Sequence, residues 1–215
     1  MTVRVSVTSS NPPVRTDFSA TELQAMANQT PNPQHHRVLG FYKDTLGYRL
    51  AVSSRSELEN SCPAISVHVQ LVEAERIIEI ARDLKTTPCI FQVALSHYQQ
   101  HAEAAYAALN GLAVSLPATL HAEVEHELPT YPGGGDALRR GIEARLNKVL
   151  DAEIAAYTGE FQAMQNGVDT PAEVSKLDNG CGNASPARVP GERSRDILRR
   201  DWSPVPASFR YQQPS

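Results

Sequence analysis

Valines at positions 3, 5 and 7 alternate with polar neighbours, the period of two that marks a half-buried strand over residues 2–8. Ser19-Ala-Thr-Glu22 has the spacing of a capping box, in which a hydroxyl and a carboxylate satisfy each other's backbone amides. It predicts a short helix to about Asn28, followed by a loop to His36. Tyr48 to Val52 reads as a second strand after Gly47. Ile65, Val67, Val69 and Leu71 alternate with Ser66, His68 and Gln70, which predicts a strand with His68 on the opposite face. Glu73-Ala-Glu75 suits a turn, with Ile78 and Ile80 on a return strand. A helix over 72–84 competes with that hairpin, because Ile77, Ile78 and Ala81 also fit helical spacing.

Thr86-Thr87-Pro88 is a helix start, since proline in the first turn loses no hydrogen bond. The helix it opens is expected over about 88–110, closing at Asn110-Gly111. At 100° per residue its wet arc holds Gln92, Ser96, Gln99, Gln100 and Glu103. The inner arc holds Ile90, Val93, Ala94, His97, His101, Ala104, Ala105 and Ala108. A separate helix is expected over 115–128, then a loop through Gly133-Gly-Gly135. A long amphipathic helix follows from Asp136 to about Asn166, with Leu138, Ile142, Leu146, Leu150, Ile154 and Tyr157 on its stripe. It is expected to pack antiparallel against 88–110. Asp169-Thr-Pro-Ala-Glu173 reads as a capped turn or short helix. Together these elements predict an α+β fold in which a small N-terminal antiparallel sheet packs on a hairpin of two long helices. One α+β domain would span 1–181, and the Pro-, Ser- and Arg-rich stretch 182–215 would be a disordered tail.

Composition narrows the function classes. A net charge of −4 without a basic stripe argues against nucleic acid, because phosphate-driven binding needs clustered Lys and Arg. No run of about 18 apolar residues is present, so no membrane-spanning helix is expected. The first residues lack the apolar block of a signal peptide, which suggests a cytoplasmic product as written and a periplasmic or secreted one if the start is truncated. Three cysteines, Cys62, Cys89 and Cys181, allow either one pair and a free thiol or three inert thiols. Cys89 near a helix N-terminus could also be a nucleophile, but no local motif pairs it with a base.

The chemistry lies in His97-Tyr-Gln-Gln-His101. Histidines four apart on a helix project from one face, so both imidazoles can reach one metal ion. The spacing is that of the zinc-peptidase motif H-E-x-x-H, with Tyr98 where the general base stands. Tyrosine, whose ordinary pKa is about 10, is a poor base near neutrality. Two core histidines satisfied by polar neighbours would give the same pattern. A metal site needs a third ligand. Glu123 and Glu125, 22 and 24 residues after His101, are the candidates, with His121 and His126 nearby. Glu103 falls on the wet arc.

Several stretches taken in order resemble a bacterial group of secreted zinc-dependent proteases. They are Cys62-Pro-Ala-Ile-Ser-Val-His-Val-Gln-Leu, Ile77-Ile-Glu-Ile-Ala-Arg, Pro88-Cys-Ile-Phe, His97-Tyr-Gln-Gln-His101 and Val168-Asp-Thr-Pro-Ala-Glu173 with Cys181. The resemblance covers about residues 60–181. It implies that His97 and His101 are Zn²⁺ ligands, that Tyr98 replaces the catalytic base, and that Cys89 and Cys181 pair if the protein is exported. The expectation is a zincin-like protein with impaired or absent catalysis. The alternatives are a metal-free module binding a protein or peptide partner, and an active metallohydrolase using Glu123 or Glu125 as its base.

Overall fold

A computed structural model describes residues 1–28, 38–55, 64–127, 136–181 and 209–210. Its elements are β1 (Thr2–Thr8), β2 (Val14–Arg15), α1 (Ala20–Asn28), β3 (Gly40–Arg55), β4 (Ala64–Ile80), a 3₁₀ turn (Arg82–Thr86), α2 (Pro88–Glu127), α3 (Asp136–Val168), α4 (Pro171–Asn179) and β5 (Phe209–Arg210). The fold is α+β, as the patterns predict. The capping box forms: Glu22 N donates to Ser19 Oγ at 3.2 Å, and Ser19 N donates to Glu22 Oε2 at 2.6 Å. Loop 29–37, Cys62, Gly133–Gly135 and the expected tail, apart from 209–210, lie outside the described residues.

The sheet is mixed rather than antiparallel throughout. β3 and β4 form the long antiparallel pair at its centre, while β1 and β2 lie parallel to β4 on its other side. β1 reaches its place beside β4 by a long path through β2, α1 and β3. Such a crossover is what a parallel neighbour requires.

Residues 73–75 make no turn. β4 runs unbroken to Ile80, and the register slips once, with Thr45 opposite Glu75 and Leu46 opposite Glu73. Ala74 is the extra residue of a β-bulge. The bulge explains why the buried positions change parity, from 65, 67, 69 and 71 to 78 and 80. One inserted residue switches the phase of a period-two pattern, and the sequence pattern imitates a chain reversal.

α2 is also longer than expected, 40 residues through Gly111 and Pro117. No break occurs at Asn110-Gly111 because Leu109, Leu112, Leu116, Leu120 and Val124 continue its buried stripe against α3 and the sheet. Packing of that stripe overrides the local breakers, as tertiary burial commonly does. α3 returns antiparallel along it, and Arg145 Nε meets Glu123 Oε2 at 2.8 Å.

Two apolar clusters result. One fills the space between the odd face of β4 and the distal halves of α2 and α3. The other joins Leu23, Ile78, Ile80, Leu84, Ile90 and Ala94 around the first turns of α2. Buried Glu79 ties α1 to this second cluster, its Oε1 accepting from Asp17 N and Phe18 N at 2.5 and 3.2 Å. Cys89 and Cys181 form a disulfide with Cα atoms 5.9 Å apart, which fastens the end of α4 to the start of α2. The pairing excludes Cys89 as a nucleophile. His68, expected on the opposite face of its strand from the apolar residues, lies on the exposed face of β4 beside Ser6.

Candidate metal centre

α2 presents His97 and His101 on its buried face, 5% and 6% exposed, as the arc of small residues predicts. Ala94, Ala102 and Ala105 are buried on the same helix, and their short side chains leave room for two imidazoles. The T-shaped rings have centroids 4.7 Å apart. Opposite them the chain leaves α3 and enters α4. Thr170 caps α4 by accepting from Glu173 N at 3.3 Å, with Pro171 in the first turn. The residue just before that cap, Asp169, is 6% exposed and faces the histidines.

Asp169 Oδ1, His97 Nε2 and His101 Nε2 form a triangle with 3.1 Å on every side. Three ligand atoms at about 2.0–2.1 Å from a tetrahedral ion stand about 3.3 Å apart, so the triangle is close to the size a zinc-like cation needs. Two imidazoles and a carboxylate make a donor set for a divalent metal with one position left open. Among the described residues this is the one group of three or more His, Cys, Asp or Glu side chains able to hold a metal ion.

Gln165 fixes the protonation of His101. Its carboxamide nitrogen donates to the His101 backbone carbonyl at 3.0 Å, and a carbonyl can only accept. The amide oxygen is therefore the atom that meets His101 Nδ1, and Nδ1 must carry the hydrogen. The neutral ring then turns the lone pair of Nε2 toward Asp169. That lone pair and the Asp169 carboxylate repel at 3.1 Å unless a hydrogen or a metal ion lies between them, and His97 Nε2, 3.1 Å from both, either donates that hydrogen or joins them as a third ligand atom.

The Tyr98 ring lies against both imidazoles, edge-on to His97 with centroids 5.1 Å apart and stacked beside His101 at 5.9 Å. Its hydroxyl donates to the Gly40 carbonyl at 2.7 Å, at the first residue of β3. A Cβ on residue 40 would stand 2.7 Å from Tyr98 Cε2 and closer still to the Glu79 carbonyl, so only glycine fits there. The tyrosine ring is a packing piece between helix and sheet. Glu173, in the first turn of α4, pairs with Lys176 and bonds Gln100. The hydrogen bond from Lys176 holds its carboxyl below the usual carboxylate range, and the nearby His97 adds to that effect.

Glu123 and Glu125 are not brought to the histidines. Each lies more than twenty residues further along α2, about 33 Å or more at the helical rise. Glu123 pairs with Arg145, and Glu125 pairs with His121 at 3.4 Å. The carboxylate that does reach the pair, Asp169, is 68 residues beyond His101. In the sequence this segment reads as a capped turn or short helix, which forms as α4, but not as the source of a ligand.

The chain matches no family model, no curated protein and no solved structure. No helix among the described residues is long and apolar enough to cross a membrane.

Proposed function

We propose that this chain is a zincin-like zinc-binding protein with impaired or absent peptidase activity. His97, His101 and Asp169 are its ligands. The observation that carries the metal reading is the convergence of three atoms able to ligate a metal, buried, at 3.1 Å from one another. Zinc suits the donor set and is redox-inert. The Cys89–Cys181 disulfide favours a redox-inert ion as well, because such bonds persist in oxidising compartments. Loss of catalysis follows from Tyr98, which sits in the base position and directs its proton to Gly40. Zinc in the open site would act as a Lewis acid, but hydrolysis also needs a group that takes a proton from the attacking water.

Elemental analysis of protein purified without chelator tests the reading. About one zinc per chain is expected in the wild type, and none in His97→Ala or Asp169→Ala. Metal-free wild-type protein would discard the zinc reading, and stoichiometric iron would replace it with an iron centre on the same residues. The zinc-loaded wild type is expected to cleave no peptide. Cleavage gained by Tyr98→Glu would show that the base alone is missing.

A further inference from the structure

At the bulge, strands β3 and β4 bury a second polar cluster that the metal reading does not use. Tyr42 Oη donates to Asp44 Oδ2 at 2.9 Å and accepts from Arg76 Nε at 3.1 Å. Arg76 Nη1 donates to Ser9 Oγ, to the Ser10 carbonyl and to Glu73 Oε2 at 2.8, 2.8 and 3.3 Å. Its Nη2 donates to the Ala102 carbonyl at 2.8 Å, on α2 one residue after His101. All five N–H groups of a guanidinium point in fixed directions, so Arg76 ties together the bulge, the segment that follows β1 and the helix that carries the histidines.

The carboxyl groups are not fully satisfied by it. The Glu73 side chain is 2% exposed, and one guanidinium serves both carboxyls, bonding Glu73 directly and Asp44 through the Tyr42 hydroxyl. Glu73 Oε1 and Asp44 Oδ1 are both buried without a donor. Two ionised carboxylates against one guanidinium leave an uncompensated negative charge away from water, an arrangement that two acids avoid by sharing one proton. Among the described residues, the other groups that face the cluster supply no second cation. Tyr157 approaches from α3, and the Tyr106 ring of α2 lies 5.9 Å from the guanidinium carbon. Lys43 pairs with Glu75 on the outer, half-exposed side.

We propose that Asp44 and Glu73 form a buried proton-binding pair, and that releasing its proton loosens the bulge through which Arg76 ties the sheet to the metal-bearing helix. Burial first, and then the Glu73 charge, push the Asp44 carboxyl up to about 7, while Tyr42 and Arg76 pull it down. A carboxyl whose folded pKa lies above its unfolded value stabilises the fold fully below the unfolded value. That stabilisation is lost as pH rises through the folded one. The window is therefore about pH 4 to 7, opposite in sign to an ordinary ion-paired carboxylate.

Thermal and denaturant unfolding of the full chain and of Asp44→Asn, across pH 4 to 8, tests the proposal. The amide keeps an acceptor for Tyr42 and has no charge to lose. The ratio of the two unfolding constants is expected to shift in favour of the variant by about tenfold or more between pH 4 and pH 8. A ratio that stays constant across that range overturns the proposal. Infrared spectroscopy of the folded wild type at pH 6 reads the same proton directly, even if the variant does not fold. The carbonyl stretch of a protonated carboxylic acid is expected, and its absence overturns the pair. Stabilisation at pH 8 by sodium or calcium beyond a matched ionic strength, without that band, would assign the site to a metal cation instead.

Discussion

Gln165 grips His101 at two points, the ring and its own backbone carbonyl. Such an outer partner orients a ligand and raises its basicity, and losing one costs about 10–100-fold in metal affinity. Gln165→Leu should weaken zinc binding by that factor in a competition titration, while the circular dichroism of the helices stays unchanged. An unaltered affinity would reduce Gln165 to a packing residue. At this scale the histidine pair was legible and its third partner was not. His97 and His101 betray themselves by lying on an apolar arc, where histidine needs a reason to be. Asp169 sits before Thr170-Pro171, where an acidic residue passes for ordinary helix-start chemistry. The missing signal was the register of the helical hairpin. The pairs Glu123–Arg145, His101–Gln165 and His97–Asp169 are all centred on residues 133–134. Any one of them would have pointed to the others.

At the scale of elements, composition rules misjudged continuity twice. Asn110-Gly111 looks like a stop, yet α2 runs through it because a buried leucine stripe spans it. Glu73-Ala-Glu75 looks like a turn because hydrophobic parity changes there, yet the change comes from a single inserted residue. Deleting Ala74 is a sharp test. It should force β4 either to lose pairing beyond the bulge or to turn Ile78 and Ile80 away from the core. The expected loss is several kcal/mol, the cost of exposing two buried aliphatic side chains at about 1.5–3 kcal/mol each. A deletion variant as stable as wild type in urea would mean that the bulge has no such role. Strand β1, the capped α1, the start of α2 and the amphipathic α3 all follow their sequence signals closely. In those places local chemistry and packing agree.

For the whole molecule, metal and proton compete for the same lone pairs. Zinc requires neutral imidazoles and an ionised Asp169, so its binding releases protons and strengthens with pH. A ligand at a hundred times its dissociation constant stabilises a fold by about 2.7 kcal/mol. Added zinc should therefore raise the melting temperature clearly at pH 7.5 and little at pH 5. Equal shifts at both pH values would point to zinc held elsewhere. The α+β class was legible because two long apolar periodicities and a strand pattern suffice to announce it. The parallel placement of β1 was not, since strand order depends on contacts between residues about 64 positions apart.

The disulfide also changes what the chain is as a covalent object. Between Cys89 and Cys181 it closes a ring that contains α2 from its second residue, α3, α4 and the side chains of His97, His101 and Asp169. A single cut anywhere between residues 127 and 136 would divide the sequence and still leave one molecule, with His97, His101 and Asp169 on the same covalent body. Only a reductant would then separate the two halves of the site.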